Sequence, residues 1–307
     1  MTSKFKNTLI TIIGPTAIGK TALSIELAKH FNSDIISCDS RQFYKEMSIG
    51  TAVPNTDELA AATHHFIQDR SIFNDYNVGQ FEKDVLKKLD ELFLQNPIQI
   101  MVGGSGLYVD AVLKGLDYFP EVSASVREAL NNELENNGLL FLQDKLKELD
   151  AKTYNSIKID NPQRVIRALE VCIGSGIPYS TFKNKPKAPR NFNIIKIGLN
   201  AEREIIYSRI NRRVDIMIEK GLLEEAKKLY PYKKLNALQT VGYRELFSYF
   251  DADFTKEFAI SEIKKNTRRF AKRQLTWFRK DSETLWFDYP IAISNILSKV
   301  SNKINTF

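Results

Sequence analysis

The first third of the chain alternates between short apolar runs and longer amphipathic segments. The runs at 9–13, 34–38 and 98–102 are rich in branched aliphatic residues and predict strands that are buried on both faces. Residues 19–31 and 78–95 carry apolar side chains at helical spacing and predict helices. Strands and helices that alternate in this way form a parallel sheet with right-handed crossovers.

The pattern changes between residues 121 and 185, where strand signals nearly vanish and the chain becomes polar, charged and helix-forming. Pro186 and Pro189 stand among lysines and mark a linker. The apolar run 194–199 then predicts one more core strand, and the chain from about Arg203 onward predicts helices only. We therefore expect a helical insertion in a sheet domain.

The cations of this chain outnumber its anions by 44 to 37, a formal net charge of +7. Such a surplus favours a phosphate-rich partner where it is clustered and is ordinary solubilising charge where it is spread. It is clustered in residues 264–280, which carry Lys265, Arg268, Arg269, Lys272, Arg273, Arg279 and Lys280 between aromatic and aliphatic residues. We expect a helix whose apolar side chains pack and whose cations follow phosphates.

The rest of the composition excludes several classes of protein. Hydrophobic residues make up 43% and charged residues 26%, as in a globular enzyme. Cys38 and Cys172 are too isolated in sequence for a disulfide scaffold or a zinc site, and we expect them in the core. The apolar run near the N-terminus is too short for a membrane span and lacks a signal-peptide pattern. We expect a cytoplasmic protein without membrane contact.

The first predicted strand leads directly into a phosphate-binding sequence. The residues Gly14, Pro15, Thr16, Ala17, Ile18, Gly19, Lys20 and Thr21 match the P-loop pattern G-x-x-x-x-G-K-[ST] between a strand and a helix. In a P-loop the backbone N–H groups point at phosphate oxygens, and the helix N-terminus reinforces them. Lys20 would supply a charge to the terminal phosphate, and the Thr21 hydroxyl would bind Mg²⁺.

These patterns together predict the fold class and the domains. We expect an α/β fold with a P-loop parallel sheet core flanked by helices, formed by residues 1–120 and 190–307 and including the basic C-terminal helices. Residues 121–189 would form an inserted all-helical subdomain.

The strand at 98–102 lacks the acid that a P-loop NTPase uses to hold Mg²⁺. It ends instead in Gly103 and Gly104, which permit another group to approach the backbone closely, and in Ser105, which could also simply cap the next helix. Asp39 ends the second strand at the rim where open sheets bind ligands, which suits a general base or a hydrogen-bond acceptor that orients the substrate. A helix cap or an indirect contact with Mg²⁺ through another ligand is the alternative. Gln42 has the amide groups to recognise an adenine edge.

The chain resembles the bacterial tRNA dimethylallyltransferases. The resemblance is carried by residues 14–21, 39–44, 49–52, 64–65, 103–108, 241–245, 267–269 and 271–278, and extends from Ile13 to Arg279. It implies transfer of a dimethylallyl group from dimethylallyl diphosphate to the exocyclic amine of the adenine 3′ of the anticodon, tRNA position 37, in tRNAs that read codons beginning with U. The resemblance also implies that diphosphate is released, that Mg²⁺ is the cofactor, and that the partner is the anticodon stem-loop of tRNA, which the helical insertion at residues 121–189 would contact.

The residues and the resemblance together predict a site. Catalytic roles are expected for Asp39, Ser105, Lys20 and Arg213, the last because the family places an arginine of that helix near the diphosphate. Contacts with tRNA are expected for Asp39, Ser40, Arg41, Gln42, Ser105, Arg127, Gln163, Arg164, Val165, Ile166, Arg167, Arg268, Arg269 and Arg273. An internal salt bridge of Arg213, and solvated helix charges at Arg127 and at 161–170, are the alternatives.

Some positions depart from the family pattern. Ser105 stands where the family usually has threonine, which keeps the hydroxyl, and Ser48 and Val53 replace residues that many members have as aspartate and lysine. Adjacent His64 and His65 face different ways on any regular element, and structural hydrogen bonding suits them better than substrate contact.

Two other functions are compatible with parts of the sequence. A small-molecule or nucleoside kinase would share the P-loop and the sheet but would need an acid for Mg²⁺, and it leaves the basic helix without a role. A non-catalytic RNA-binding module would use the basic helix but not the P-loop. We expect a monomer with no obligate protein partner.

Overall fold

A computed structural model describes residues 6–290 and 292–307 of the chain. The chain divides into two compact units. The sheet unit comprises the chain up to Lys114 together with Arg190–Phe307, and the helical unit is Gly115–Pro189. The helical unit thus begins before the expected boundary at residue 121 and ends at the expected one.

The sheet unit is built on six parallel strands. The strands are β1 (Thr8–Ile13), β2 (Ile35–Ser37), β3 (His64–His65), β4 (Ile98–Val102), β5 (Asn193–Asn200) and β6 (Leu285–Asp288), in the order β3-β2-β4-β1-β5-β6. Strands β1 and β4 lie side by side in the middle and are buried along their whole length. Their near-continuous apolar sequences are those of strands covered on both faces.

Helices cover both faces of this sheet. The helices of the sheet unit are α1 (Lys20–Phe31), α2 (Thr56–Ala61), α3 (Val78–Phe93), α4 (Gly106–Lys114), α8 (Arg203–Glu219), α9 (Leu222–Leu229), α10 (Tyr243–Phe250), α11 (Lys256–Phe278) and α12 (Ile293–Ile304). Alternate residues of β1 point to opposite faces. Ile10 and Ile12 pack in one cluster with α1, α8 and α12, whereas Leu9 and Ile13 pack in another with α3 and α4.

The helical unit has its own core. It contains α5 (Ala124–Leu149), α6 (Ala151–Ser156) and α7 (Pro162–Ser175), with α5 interrupted at Gly138, where φ is +80°. Leucines of α5 pack against Val165, Ile166 and Leu169 of α7. Asn161 caps α7 by accepting from the Arg164 N–H, and Pro162 occupies the first turn, as its sequence indicated.

The strands predicted from apolar runs are confirmed, and the parallel arrangement is confirmed with them. The expectation of helices alone beyond Arg203 is wrong, because Leu285–Asp288 forms β6 at the edge of the sheet. This strand is only partly buried and carries a charged end, so it lacks the apolar run that identifies an interior strand. The short elements α2 and β3 also carried no periodic signal.

Two further expectations concern buried cysteines and membranes. Cys38 and Cys172 are both buried and unpaired, in agreement with their expected core positions. Over residues 6–290 and 292–307, no helix combines the length and the apolar character needed to cross a bilayer.

One carboxylate fixes the loop that follows Met47. Glu225 of α9 accepts hydrogen bonds from the backbone N–H groups of Ser48 (3.0 Å), Ile49 (2.8 Å) and Gly50 (2.9 Å). The buried Tyr243 hydroxyl donates to the same carboxylate at 2.6 Å, and burial together with Glu225 raises the pKa of this phenol. The carboxylate thus satisfies three backbone donors that no regular element pairs.

Replacement of Glu225 with glutamine should destabilise the sheet unit. The amide presents an N–H₂ group where the carboxylate accepts four hydrogen bonds, so we expect a decrease of about 1–3 kcal/mol in the free energy of unfolding. Glu224→Gln removes the same charge from an exposed position of the same helix and should change stability by less than about 0.5 kcal/mol. Equal denaturant midpoints for the two variants would contradict this role.

Candidate active site

The loop of residues 14–21 leaves the carboxyl end of β1 and begins α1. Gly14 has a φ of +147° and lies so close to β5 that a Cβ atom would meet the Leu199 carbonyl oxygen at 2.7 Å. Gly19 precedes α1 with a φ of +108°, and no side chain caps the helix. The glycines therefore allow a backbone path that side chains would prevent, and the first N–H groups of α1 remain available to an anion.

Lys20 folds back over this loop. Its ammonium group donates to the carbonyl oxygens of Gly14 (3.0 Å) and Pro15 (2.8 Å). Burial lowers the pKa of Lys20 to about 7 through desolvation, which the charge of Asp39 partly opposes and the charge of Arg213 assists. The protein therefore provides too little negative charge to balance the Lys20 ammonium group. An anion bound beside Lys20 would balance this charge.

Helix α8 places two arginines against the same loop. Arg209 Nε donates to the Ala17 carbonyl at 2.7 Å, and Arg213 Nη1 donates to the Thr16 hydroxyl at 3.2 Å. Burial lowers the pKa of Arg213, with Asp39 as the largest opposing charge. The nearest interaction of Arg213 is thus with the loop itself, which favours the predicted phosphate role over an internal salt bridge.

Asp39 lies just beyond β2, at the same edge of the sheet. Its Oδ1 atom accepts from the backbone N–H of Arg41 at 3.1 Å, which orients the carboxylate. The chain approaches β4 so closely here that a Cβ on Gly103 would lie 2.2 Å from the Cys38 carbonyl oxygen. Gly103 therefore allows Asp39 to sit beside the loop of residues 14–21.

Ser105 joins β4 to the segment that follows β2. The Ser40 backbone N–H donates to the Ser105 hydroxyl, which in turn donates to the Ser40 hydroxyl, both at 3.1 Å. Ser105 therefore contacts Ser40 rather than acting only as a cap for α4. The pair holds two loops of the site in fixed positions.

Gln274 is a site residue that the sequence reasoning missed. Its Oε1 accepts from the Thr16 N–H and its Nε2 donates to the Gly104 carbonyl, each at 2.9 Å. The side chain is buried and connects the loop of residues 14–21 with the end of β4. The sequence could have identified Gln274, because it stands three residues after Ala271 and four before Phe278 and therefore shares the buried face of α11 with them. A buried polar side chain needs hydrogen-bond partners.

The predicted RNA contacts at Arg41 and Gln42 are engaged within the protein. Arg41 Nη1 donates to the carbonyls of Asn236 and Ala237, both at 3.0 Å. The Gln42 amide donates to the carbonyls of Thr51 and Ala52 and accepts from the Ser37 hydroxyl. The amide nitrogen of Gln42 is therefore engaged within the protein in this conformation and is not free to donate to an adenine edge.

Two cavities meet at these residues. The larger, of about 980 Å³, is lined by the loop of residues 14–21, the segment following Met47 and the basic side chains Arg209, Arg212, Arg213 and Lys220. The smaller, of about 410 Å³, is lined by Ser40, Ser105, Gln274 and side chains of α11. Thr16, Asp39 and Arg213 line both cavities. Asp39 thus lies at the junction of the two cavities, where a ligand bound in one would face a ligand bound in the other.

The fit of a metal ion depends on what the larger cavity holds. Over residues 6–290 and 292–307, no cluster of three or more His, Cys, Asp or Glu side chains could cage a metal. Thr21 and Asp39 both line the larger cavity and offer oxygen ligands. Mg²⁺ commonly takes few protein oxygens and completes its shell with water and substrate phosphates. The residues present therefore fit Mg²⁺ together with a bound phosphate group.

The histidines make structural hydrogen bonds. His64 Nδ1 is hydrogen-bonded to the Ala62 carbonyl and His65 Nε2 to Asp34, both at 2.8 Å. Burial lowers the pKa of His64, so its imidazole is neutral near neutral pH. These contacts agree with the structural role that the sequence favoured.

The cations of α11 differ in their environments. Arg269, Lys272 and Arg273 are exposed, as are Arg279 and Lys280 just beyond the helix. Arg268 is partly buried, donates to the Asn211 side chain at 2.7 Å and lies over the Tyr207 ring. The exposed cations, rather than Arg268, are therefore the ones available to phosphates.

Three of the predicted RNA contacts of the helical unit lie around the buried carboxylate of Glu170. Arg127 and Arg167 donate to Glu170 at 3.0 and 3.1 Å, and Arg127 also donates to the Gln163 side chain. Arg164 is exposed on α7, the helix that also carries Arg167. The arginines are therefore more than freely solvated charges, because Glu170 holds them in place.

Val165 and Ile166 do not face solvent. Both are fully buried in the core of the helical unit. The expectation that these two side chains contact tRNA is therefore corrected: they pack against α5, as their apolar character and helical spacing require.

Relatives of known name match almost the whole chain. A family model described as IPP transferase matches residues 42–281. A tRNA dimethylallyltransferase of Flavobacterium psychrophilum is 63% identical over 304 residues, which cover 97% of this chain and 99% of that protein. One from Cytophaga hutchinsonii is 47% identical over 296 residues, covering 96% and 97%.

Solved structures agree with these matches. A full-length tRNA isopentenylpyrophosphate transferase from Bacillus halodurans has a TM-score of 0.73 at 37% identity and covers 98% of each chain. A eukaryotic dimethylallyltransferase acting on tRNA has a TM-score of 0.83 and covers 98% of this chain and 80% of that one. At 24% identity, this second likeness supports the fold alone. By its family model and its relatives, the chain belongs to the IPP transferase family of prenyltransferases.

Proposed function

We propose that this enzyme transfers a dimethylallyl group from dimethylallyl diphosphate to tRNA. The acceptor is the exocyclic amine of the adenine at position 37, just 3′ of the anticodon, in tRNAs that read codons beginning with U. The observation that carries the proposal is the meeting of two cavities at Thr16, Asp39 and Arg213. The names of the relatives support tRNA as the acceptor.

The donor diphosphate fits the larger cavity. The loop of residues 14–21, Lys20 and Arg213 present N–H groups and two desolvated cations there. As the allylic C–O bond breaks, the electron pair remains on the diphosphate, and its charge increases. Fixed positive groups that face this charge lower the barrier, because they need no reorganisation during the reaction.

The acceptor adenine fits the smaller cavity, with its amine directed at Asp39. The amine nitrogen attacks the allylic carbon, a C–N bond forms, and one amine proton passes to the Asp39 carboxylate. Ser105, hydrogen-bonded to Ser40 beside Asp39, would position the adenine. A base within a folded anticodon loop must be flipped out to reach this depth.

Mg²⁺ is the cofactor in this proposal. Thr21 would contribute its hydroxyl oxygen, and the donor diphosphate and water would provide the others. When bound, the ion would add to the neutralisation of the leaving diphosphate.

The cytoplasm is the compartment in which this reaction would take place, and the enzyme would act as a monomer. The compartment follows from a substrate that is free tRNA, and a monomer suffices because every side chain that the proposed reaction uses belongs to this chain. A kinase is disfavoured because β4 ends in Gly103 and Gly104 rather than in an acid that holds Mg²⁺.

The proposal is tested with purified protein, dimethylallyl diphosphate, Mg²⁺ and unmodified tRNA, followed by nucleoside analysis. We expect one prenylated adenosine at position 37 and no hydrolysis of ATP. Lys20→Ala should reduce the rate at least about 100-fold while tRNA binding is retained, because the variant lacks a charge that stabilises the departing diphosphate. Lys29→Ala, an exposed lysine of the same helix, should leave the rate unchanged. Unmodified tRNA at the end of the reaction would refute the activity.

Asp39→Asn tests the proton acceptor. The amide keeps the shape and an oxygen that can accept from the Arg41 N–H but lacks basicity, so kcat should fall by about 10²–10⁴-fold with little change in tRNA affinity. The measurement is the single-turnover rate across pH. A small decrease in kcat, a larger rise in KM and an unchanged pH profile would instead mean that Asp39 orients the adenine while the allylic cation develops first.

The exposed cations of α11 should contribute to tRNA binding rather than to chemistry. Replacing Arg269, Lys272 and Arg273 with serine should flatten the dependence of log Kd on log salt, by roughly 0.7–0.9 for each phosphate that the variant no longer neutralises. Turnover at saturating tRNA should change little. Removing the exposed lysines Lys29, Lys299 and Lys303 is the charge-matched control, and an identical salt slope in both variants would exclude α11 from the interface.

A further inference from the structure

Helix α11 presents two aromatic side chains to the smaller cavity. Phe270 and Trp277 are 39% and 37% exposed, although both belong to residue types that usually bury most of their surface. They are seven residues apart, hence two helical turns or about 10 Å along one face. Both line the cavity that contains Asp39 and Ser105, with Arg273 between them.

The indole of Trp277 is held in a fixed orientation. Its Nε1–H donates to the Asp110 carboxylate of α4 at 2.9 Å. Gly106 lies against the ring, since a Cβ there would meet the indole Cδ1 at 2.5 Å. An aromatic surface that is already ordered loses little conformational entropy when a ligand stacks on it.

The surroundings of the pair are basic. Arg273 lies with its guanidinium carbon 5.7 Å from the centre of the Phe270 ring, and Lys280 lies 5.4 Å from the Trp277 ring. Exposed Arg269 and Lys272 belong to the same helix. Aromatic faces interleaved with cations suit single-stranded nucleic acid, whose bases stack while its phosphates pair with cations.

We propose that Phe270 and Trp277 form a stacking platform for the unpaired bases that adjoin the acceptor adenine in the RNA loop. The inference rests on the proposed function and adds a subsite to it. When the adenine leaves the loop stack, its neighbours each lose a stacking partner. The platform replaces that partner and thereby stabilises the flipped-out state.

Asp110 acts as a positioning residue for this platform. It contacts the indole nitrogen and Lys114 (2.9 Å), and it does not line the cavity with the aromatic pair. Asp110→Asn retains an acceptor for the indole N–H, whereas Asp110→Leu removes it. The leucine variant should reproduce part of the RNA-binding defect of Trp277→Ala, and the asparagine variant should restore binding.

The affinity test uses an RNA anticodon stem-loop with and without an abasic nucleotide on either side of the acceptor adenine. Trp277→Ala and Phe270→Ala should each weaken binding of the intact RNA about 5- to 150-fold, the equivalent of unstacking one base. Phe258→Ala is the matched control, because this phenylalanine is 48% exposed on the same helix but lines neither cavity. Its affinity should stay within about twofold of wild type.

The abasic RNAs make the test specific to stacking. If Trp277 stacks on one neighbouring base, removing that base should weaken wild-type binding and should cost the Trp277→Ala variant nothing further. Fully additive effects for both abasic RNAs and both aromatic variants would overturn the platform.

A fluorescence measurement gives an independent readout. The chain has two tryptophans, and Trp286 of β6 packs over Gly198 away from both cavities, so Trp286→Phe leaves Trp277 as the only indole. The intact stem-loop should quench this emission, and the RNA that is abasic at the stacked position should not. Tight RNA binding without quenching would overturn the platform alone, whereas absence of RNA binding and of prenyl transfer would refute the proposed function.

Discussion

The desolvated cations at the loop of residues 14–21 determine most of what surrounds them. Lys20 and Arg213 lose hydration on folding, which lowers the pKa of both, and the groups they contact within the protein are loop carbonyls and a hydroxyl. Such an arrangement is stable only because the loop is fixed by Gly14, Arg209 and Gln274. An anion at this position would supply the missing compensation, so the local energetics of folding and the binding of a diphosphate are coupled.

Helix α11 connects that loop to the proposed RNA side of the site. Its buried face carries Gln274, which bonds to both Thr16 and Gly104, while its outer face carries Phe270 and Trp277. Because α11 carries both sets of side chains, a movement of this helix would displace Phe270 and Trp277 together with Gln274, which holds the loop. The basic segment is therefore a structural part of the candidate site as well as the surface proposed to bind phosphates.

Local pattern was sufficient for much of the fold and for the loop of residues 14–21, because strand burial, helix periodicity and glycine spacing are properties of neighbouring residues. Gln274 was missed because its partner Thr16 lies 258 positions away, and nothing in the local sequence names that partner. Strand β6 was missed because an edge strand needs no continuous apolar run. Val165 and Ile166 were assigned to tRNA from their place in a motif, although their helical spacing already indicated packing.

The glycines after β4 illustrate the difference between detecting a constraint and identifying its cause. Their sequence indicated that some group approaches the backbone closely but did not identify that group. The structure brings protein groups there: the Cys38 carbonyl against Gly103, the Gln274 amide against Gly104 and the Trp277 ring against Gly106. Side chains at these positions would separate β2, α11 and the loop of residues 14–21. The glycines thus contribute to the candidate site indirectly, because they allow the ends of β2 and β4 and helix α11 to pack closely beside Asp39.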